Sequence, residues 1–190
     1  MGSISFNVDV DKALRKLNAA SEVAKTALVR SVNSAIVTGR VAAIREIQSN
    51  GFRFKANTIR DRLRLRKAAY NGDVIVASIE TSGRPIPLIK FDVFPKPSRR
   101  GNGFNRPAVG IYAKVLGKSY GGSHVFYARM KSGHVGVFKR VSAARTPLEQ
   151  QYGPTLAEAL GYNPVTQSTQ IAFNAQFGKA LKQQLGAAMH

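Results

Sequence analysis

The sequence predicts an α+β domain: a long N-terminal helix, a mostly antiparallel β-sheet with extended loops, and a C-terminal amphipathic helix. Apolar residues recur at helical spacing between Asp11 and Gln48, short alternating runs separated by turn residues fill 63–141, and helical spacing returns after Pro164. At 190 residues and 44% hydrophobic, the chain can bury a real core, and 1–190 reads as one domain.

The elements follow in order. Residues 3–8 (SISFNV) alternate Ile4, Phe6 and Val8 with polar neighbours, a short strand or arm. Asp9 or Asp11 is placed to cap the helical region 11–50, which carries Leu14, Leu17, Val23, Ala24, Ala27, Leu28, Val32, Ala35, Ile36, Ile44 and Ile47. This is one helix, or two meeting near Ala20 and Ser21. Gly39 marks a kink or a close packing contact, and Asn50-Gly51 suits the left-handed cap at the end. A short basic helix is expected from about Asn57 to Arg62. The β-rich region 63–141 opens with LRLRK, turns at Asn71-Gly72 and returns as VIVASIET (74–81). GRPIPLIKF (83–91) is expected to be extended, because Pro85 and Pro87 suit neither a helix interior nor a central strand.

Residues 93–106 (VFPKPSRRGNGFNR) read as a mobile loop. AVGIYAKVL and HVFYARM read as strands joined by GKSYGGS. Lys131-Ser132-Gly133 is a turn into HVGVFKRV, where Gly136 permits a bulge or a close approach. Gly153-Pro154 suggests a turn before the C-terminal helical region 155–186. Its last helix runs from Pro164 to Leu185, with Val165, Ile171, Phe173, Phe177, Leu181 and Leu185 on one face.

Several function classes lose support here. There is no cysteine, so thiolate metal sites and cysteine nucleophiles are excluded. His124, His134 and His190 fit no zinc spacing, and the acids form no close catalytic pair, Asp9 and Asp11 being helix-start residues. GNGF, YGGSH and SGHVG fit turns between strands better than phosphate-cradling loops, since none lies between a strand and a helix. The expectation is a non-enzyme with no cofactor and no metal. No apolar run of the length of a membrane span stands out, and the N-terminus resembles neither a signal peptide nor a myristoylation site, so a soluble protein made in the cytoplasm is expected.

Charge is the informative feature. Lys and Arg number 29 against 10 Asp and Glu, a net charge of +19. Arg53, Lys55, Arg60, Arg62, Arg64, Arg66 and Lys67 crowd one segment with only Asp61 among them, and no acid lies between Val93 and Leu148, where Arg99, Arg100 and Arg106 fall. With Leu63 and Leu65 facing a core, Arg62, Arg64 and Arg66 would line the opposite face of one strand. Like charges so close must meet anions, either phosphates or carboxylates of a partner. No motif for base readout appears, so contact with nucleic acid would be sequence-independent.

The basic segment leading into LRLRKAAYNGDVIVASI, then PIPL, SGHVGVFKR and QYGP in this order and spacing, resembles the phage minor tail protein Z family of lambda-like tail completion proteins. The likeness spans about residues 25–160. It implies a structural virion protein, put together in the host cytoplasm and sited at the head-proximal neck of a long non-contractile tail. It also implies a homo-oligomeric ring, by tail symmetry a hexamer, that joins tail to head and helps to seat the genome end for ejection. Its partners would be the tail terminator, tail tube and head–tail connector proteins, together with the tape-measure protein or the DNA end, and no membrane. A ring needs heterologous contacts. Strand addition at SISFNV, through Ile4 and Phe6, or at Pro85, Ile86, Pro87 and Leu88, would supply them. The alternatives are a sequence-independent nucleic-acid-binding protein outside any tail, and an RNA- or ribosome-associated protein.

Overall fold

The computed structural model describes residues 1–10, 12–13, 22–71, 74–100, 103–104 and 106–188. Strand β1 (Gly2–Asp9) buries Ile4 and Phe6, and the Asp9 carboxylate accepts the Lys12 N–H at 2.8 Å, the cap its position predicts. Asp11, Leu14, Leu17 and the suggested junction at Ala20-Ser21 lie outside the described residues. Helix α1 (Glu22–Ser49) places Leu28, Val32, Ala35, Ile36, Ala43 and Ile47 in the core, as their spacing requires. Contrary to the expectation from its sequence, α1 is long and apolar enough by composition to cross a membrane. Here it is the central core helix. Gly51, at φ +77°, ends it, and the Asn50 side chain bonds back to the Glu46 carbonyl at 2.9 Å.

Helix α2 (Ala56–Arg62) is followed by an antiparallel sheet in the order β1–β3–β2, with β2 (Arg64–Asn71) and β3 (Val74–Thr81) paired; Gly72, on which the expected turn rests, lies outside the described residues. Strand β4 (Pro85–Pro87) is extended, but Leu88–Lys90 winds into a 3₁₀ turn, with Leu88 buried in the core like Ile86 before it.

The stretch expected to be a mobile loop is tied down at both ends. Phe94 and Tyr112 exchange backbone hydrogen bonds of 2.8 and 2.9 Å. Strands β5 (Arg99–Arg100) and β6 (Gly103–Phe104) pair, and the Phe104 ring lies against Tyr127.

GKSYGGS proves to be mostly a strand. Strand β7 (Ile111–Val115) pairs with β8 (Lys118–Gly122) through a two-residue turn, Leu116 and Gly117, with φ of 49° and 77°. Both turn residues are left-handed, the geometry that matches strand twist, but leucine gives no sequence warning of it. Strands β9 (Val125–Arg129) and β10 (Val135–Arg140) pair without a register shift across the Lys131–Gly133 turn, and β11 (Leu148–Gln150) joins β10. Gly136 thus forms no bulge; it is a close approach. A Cβ there would stand 2.8 Å from the Phe138 ring, which folds across the glycine.

Gly153-Pro154 is a strand rather than a turn. Strand β12 (Tyr152–Thr155) pairs with β4 and carries an irregularity between Gly153 and Thr155 that absorbs the proline. Helix α3 (Leu156–Leu160) follows, its first turn capped by the Thr155 hydroxyl.

Helix α4 (Asn163–Ala188) runs along α1 and buries Val165, Thr169, Phe173 and Ala180. Ile171, expected on that face, is 69% exposed, because the buried stripe passes through Thr169 and Phe173. Gly39 serves close packing: a Cβ there would meet Thr169 and Phe173 at 3.6–3.7 Å. Ser31 and Thr169, both fully buried, satisfy their hydroxyls on carbonyls of their own helices, Ala27 and Val165. Phe6 stacks on Phe173 at 4.1 Å, fastening β1 to α4, while Phe52, Phe54 and Phe91 connect α2 to the hairpins in one continuous core.

Candidate nucleic-acid interface

The outward face of the β1–β3–β2 sheet is read in rows from its register. Ser3, Glu80 and Arg64 form one row, Ser5, Ser78 and Arg66 the next. Arg64 and Arg66 are exposed, as alternation with Leu65 requires. Arg62 does not continue the ladder. It is the last residue of α2, and its guanidinium donates to the Arg84 carbonyl at 3.3 Å. The ladder also meets an anion of its own: Glu80 lies 3.6 Å from the Arg66 guanidinium and accepts the Ser78 hydroxyl at 2.7 Å. That carboxylate comes from the partner strand, so charge counted along one segment could not anticipate it. The Arg66–Glu80 pair is solvent-exposed on its Arg side and holds the two strands only weakly.

The other expected contacts separate by role. Arg53 adopts φ +53°, pairs with Asp92 at 3.7 Å, and accepts the Asp92 N–H on its carbonyl. Lys55 donates to the Ile89 carbonyl at 2.9 Å. Arg53, Lys55 and Arg62 therefore have intramolecular partners. Arg60, Arg64 and Lys67 are exposed and form no ion pair among the described residues. Arg99 and Arg100 form β5. Arg106 lies apart, with its guanidinium 4.9 Å from the Phe126 ring centroid. Arg99 and Arg100 aside, these cations thus belong to several surfaces rather than one patch.

Two features escaped the sequence. Arg40, on α1, reaches across to the Arg60 carbonyl at 2.8 Å, in the last turn of α2, where a cation offsets both an unpaired carbonyl and the negative helix end. Beside Arg106, the cations Lys139 and Arg140 and the imidazole His124 line one cavity of about 460 Å³ around Phe126. The acid-free run from Val93 to Leu148 was the available signal for it. Pairing of β9 with β10 was needed to bring these residues together.

Neither described histidine has the company that acid–base or metal chemistry needs. His134 sets its ring edge-on to Phe138 and lies 3.3 Å from the Gln150 side chain. Among the described residues no group of three His, Cys, Asp or Glu could hold a metal ion.

Of the expected interface residues, Ile4, Phe6, Ile86 and Leu88 place their side chains in the chain's own core. What they leave for a neighbour is backbone: β1 is an edge of its sheet, with Ser3, Ser5, Asn7 and Asp9 exposed along it.

A family model described as prophage minor tail protein Z matches residues 9–190, nearly the whole chain. No curated protein and no solved structure matches. The chain belongs to the prophage minor tail protein Z family.

Proposed function

From that membership, which makes the chain a structural component of a phage tail, we propose that it is a tail completion protein at the head-proximal end of a long non-contractile tail. Its subunits form a ring, a hexamer by the symmetry of the tail, that joins tail to head and helps to seat the genome end. The observation that carries this reading is the unbalanced charge of +19, with Arg60, Arg64 and Lys67 exposed and without ion pairs among the described residues. A subunit that surrounds or abuts DNA can neutralise backbone phosphates without reading bases. The open edge of β1 supports head-to-tail contact, because an edge strand can extend a neighbour's sheet. Some of the charge then serves acidic surfaces of the terminator, tube or connector proteins, since a lumen that gripped DNA throughout would resist ejection.

Arg64→Gln with Arg66→Gln is expected to leave the subunit folded while lowering the yield of infectious particles in a complementation assay. Negative-stain images of wild-type protein mixed with tail tubes should show it at one tube end as a ring. Protein that stays monomeric and never joins tubes would sink the proposal. A nucleic-acid-binding protein outside a tail would instead bind duplex DNA and ignore tubes.

A further inference from the structure

The cavity beside Phe126 carries chemistry that no part of the tail reading requires. The guanidinium carbons of Arg106 and Arg140 lie 4.9 and 5.9 Å from the centroid of the same ring. Such contact positions a planar cation through its face and leaves its N–H donors, which point outward in the plane, available. Ser123, His124 and Lys139 also line the cavity. Surface arginines held close together are ordinarily neutralised by carboxylates. No acid lines this cavity, and Arg106, Lys139 and Arg140 make no ion pair among the described residues. Glu149 is opposite Lys139 in the β10–β11 register, yet closes no ion pair with it.

We propose that this cavity is a phosphate-binding site, taking a phosphate of a nucleic-acid backbone or of a small phosphorylated molecule. Its donors come from three segments: Arg106 before β7, His124 before β9, and Arg140 on β10, whose strand neighbour Lys139 points to the other face and adds charge at the rim. A tetrahedral oxyanion accepts hydrogen bonds from several directions at once, which suits donors arriving from separate segments. A single carboxylate presents one planar pair of oxygens and would leave part of this set unpaired. The site's chemistry does not depend on where in a particle the subunit stands.

The test uses the full chain at fixed ionic strength. Titration with inorganic phosphate should give saturable amide shifts at Phe126, Lys139 and Arg140, and a short random-sequence duplex should bind by fluorescence anisotropy. Arg106→Gln with Arg140→Gln should abolish the phosphate shifts and weaken duplex binding about ten-fold. Arg30→Gln with Arg45→Gln, which removes equal charge from exposed positions on α1, should change duplex binding by less than about two-fold. Phe126→Leu keeps the net charge and should weaken phosphate binding several-fold, with circular dichroism confirming the fold. Should that variant not fold, Arg106→Lys with Arg140→Lys replaces it, with the same expected loss. Phosphate shifts lost together with duplex affinity assign the site to nucleic acid, whereas lost shifts with unchanged duplex affinity assign it to a small phosphorylated ligand. Absence of phosphate shifts, equal losses in the α1 control, or binding of a poly-glutamate peptide that phosphate does not displace would overturn the proposal.

Discussion

Tyr127 and Arg40 show how polar side chains find partners on distant segments, fully for Tyr127 and in part for Arg40, whose buried Nε has none among the described residues. The Tyr127 hydroxyl donates to the Pro95 carbonyl at 2.8 Å, and burial pushes its phenol up to about 12. The unfolded chain ionises tyrosine near 10, so this group's contribution to stability is complete below that pH and is lost as pH rises from about 10 through 12. Tyr127→Phe should therefore flatten the alkaline limb of a stability–pH curve measured by urea unfolding. At neutral pH the same variant should lose about 1 kcal/mol, the net value of one hydrogen bond. Arg40→Ala removes the donor to the Arg60 carbonyl and should cost about 1–2 kcal/mol, while Arg60→Ala, exposed, should stay within about 0.5 kcal/mol. The sequence displayed these arginines only as charge. Whether one serves a carbonyl, a carboxylate or solvent is decided by chain segments far away: Glu80 for Arg66, Arg84 for Arg62, Arg60 for Arg40.

Elements were legible where local chemistry alone determines them. The pairing of β2 with β3 follows from alternation, and the Asn50-Gly51 stop and the Lys131–Gly133 turn follow from turn residues. The Leu116-Gly117 turn did not, since a leucine there is forced left-handed by the hairpin itself. Nor did β12, where Gly153 reads as turn chemistry. A Cβ at Gly153 would stand 2.6 Å from the Phe91 ring, so the glycine exists to admit a ring from another element. Gly39 gives the cleanest test at this scale. Its neighbours across the helix pair stand at ordinary contact distance for a methyl group, so Gly39→Ala should be neutral or stabilise by up to about 1 kcal/mol through helix propensity. Gly39→Leu must push α1 and α4 apart and should destabilise by about 1–3 kcal/mol, both read from urea midpoints.

Across the whole molecule, the class of the fold was visible in the order of periodicities, and the strength of its electrostatic field in the charge count. The grouping of that charge was not, because strand pairing distributes Arg64 with Arg66 to one surface and Arg106 with Arg140 to another. Binding of random-sequence duplex by the full chain should weaken linearly in log–log form as salt is raised. A flat response would remove phosphate contacts from the account of this surface and leave acidic proteins as its partners.

The helix pair also sets an order of events during synthesis. The face of α1 that holds Gly39 is covered by Thr169 and Phe173 of α4, more than a hundred positions later in the chain. Ser34 and Gln176 are hydrogen-bonded across that separation. While the ribosome is still translating the hairpins, β2 and β3 can already cover one side of α1, but the face awaiting α4 has no partner and is exposed to chaperones and to other nascent chains. A chain stopped after Tyr162 should accordingly collect in the insoluble fraction, and α4 supplied in trans as a peptide should return part of it to solution.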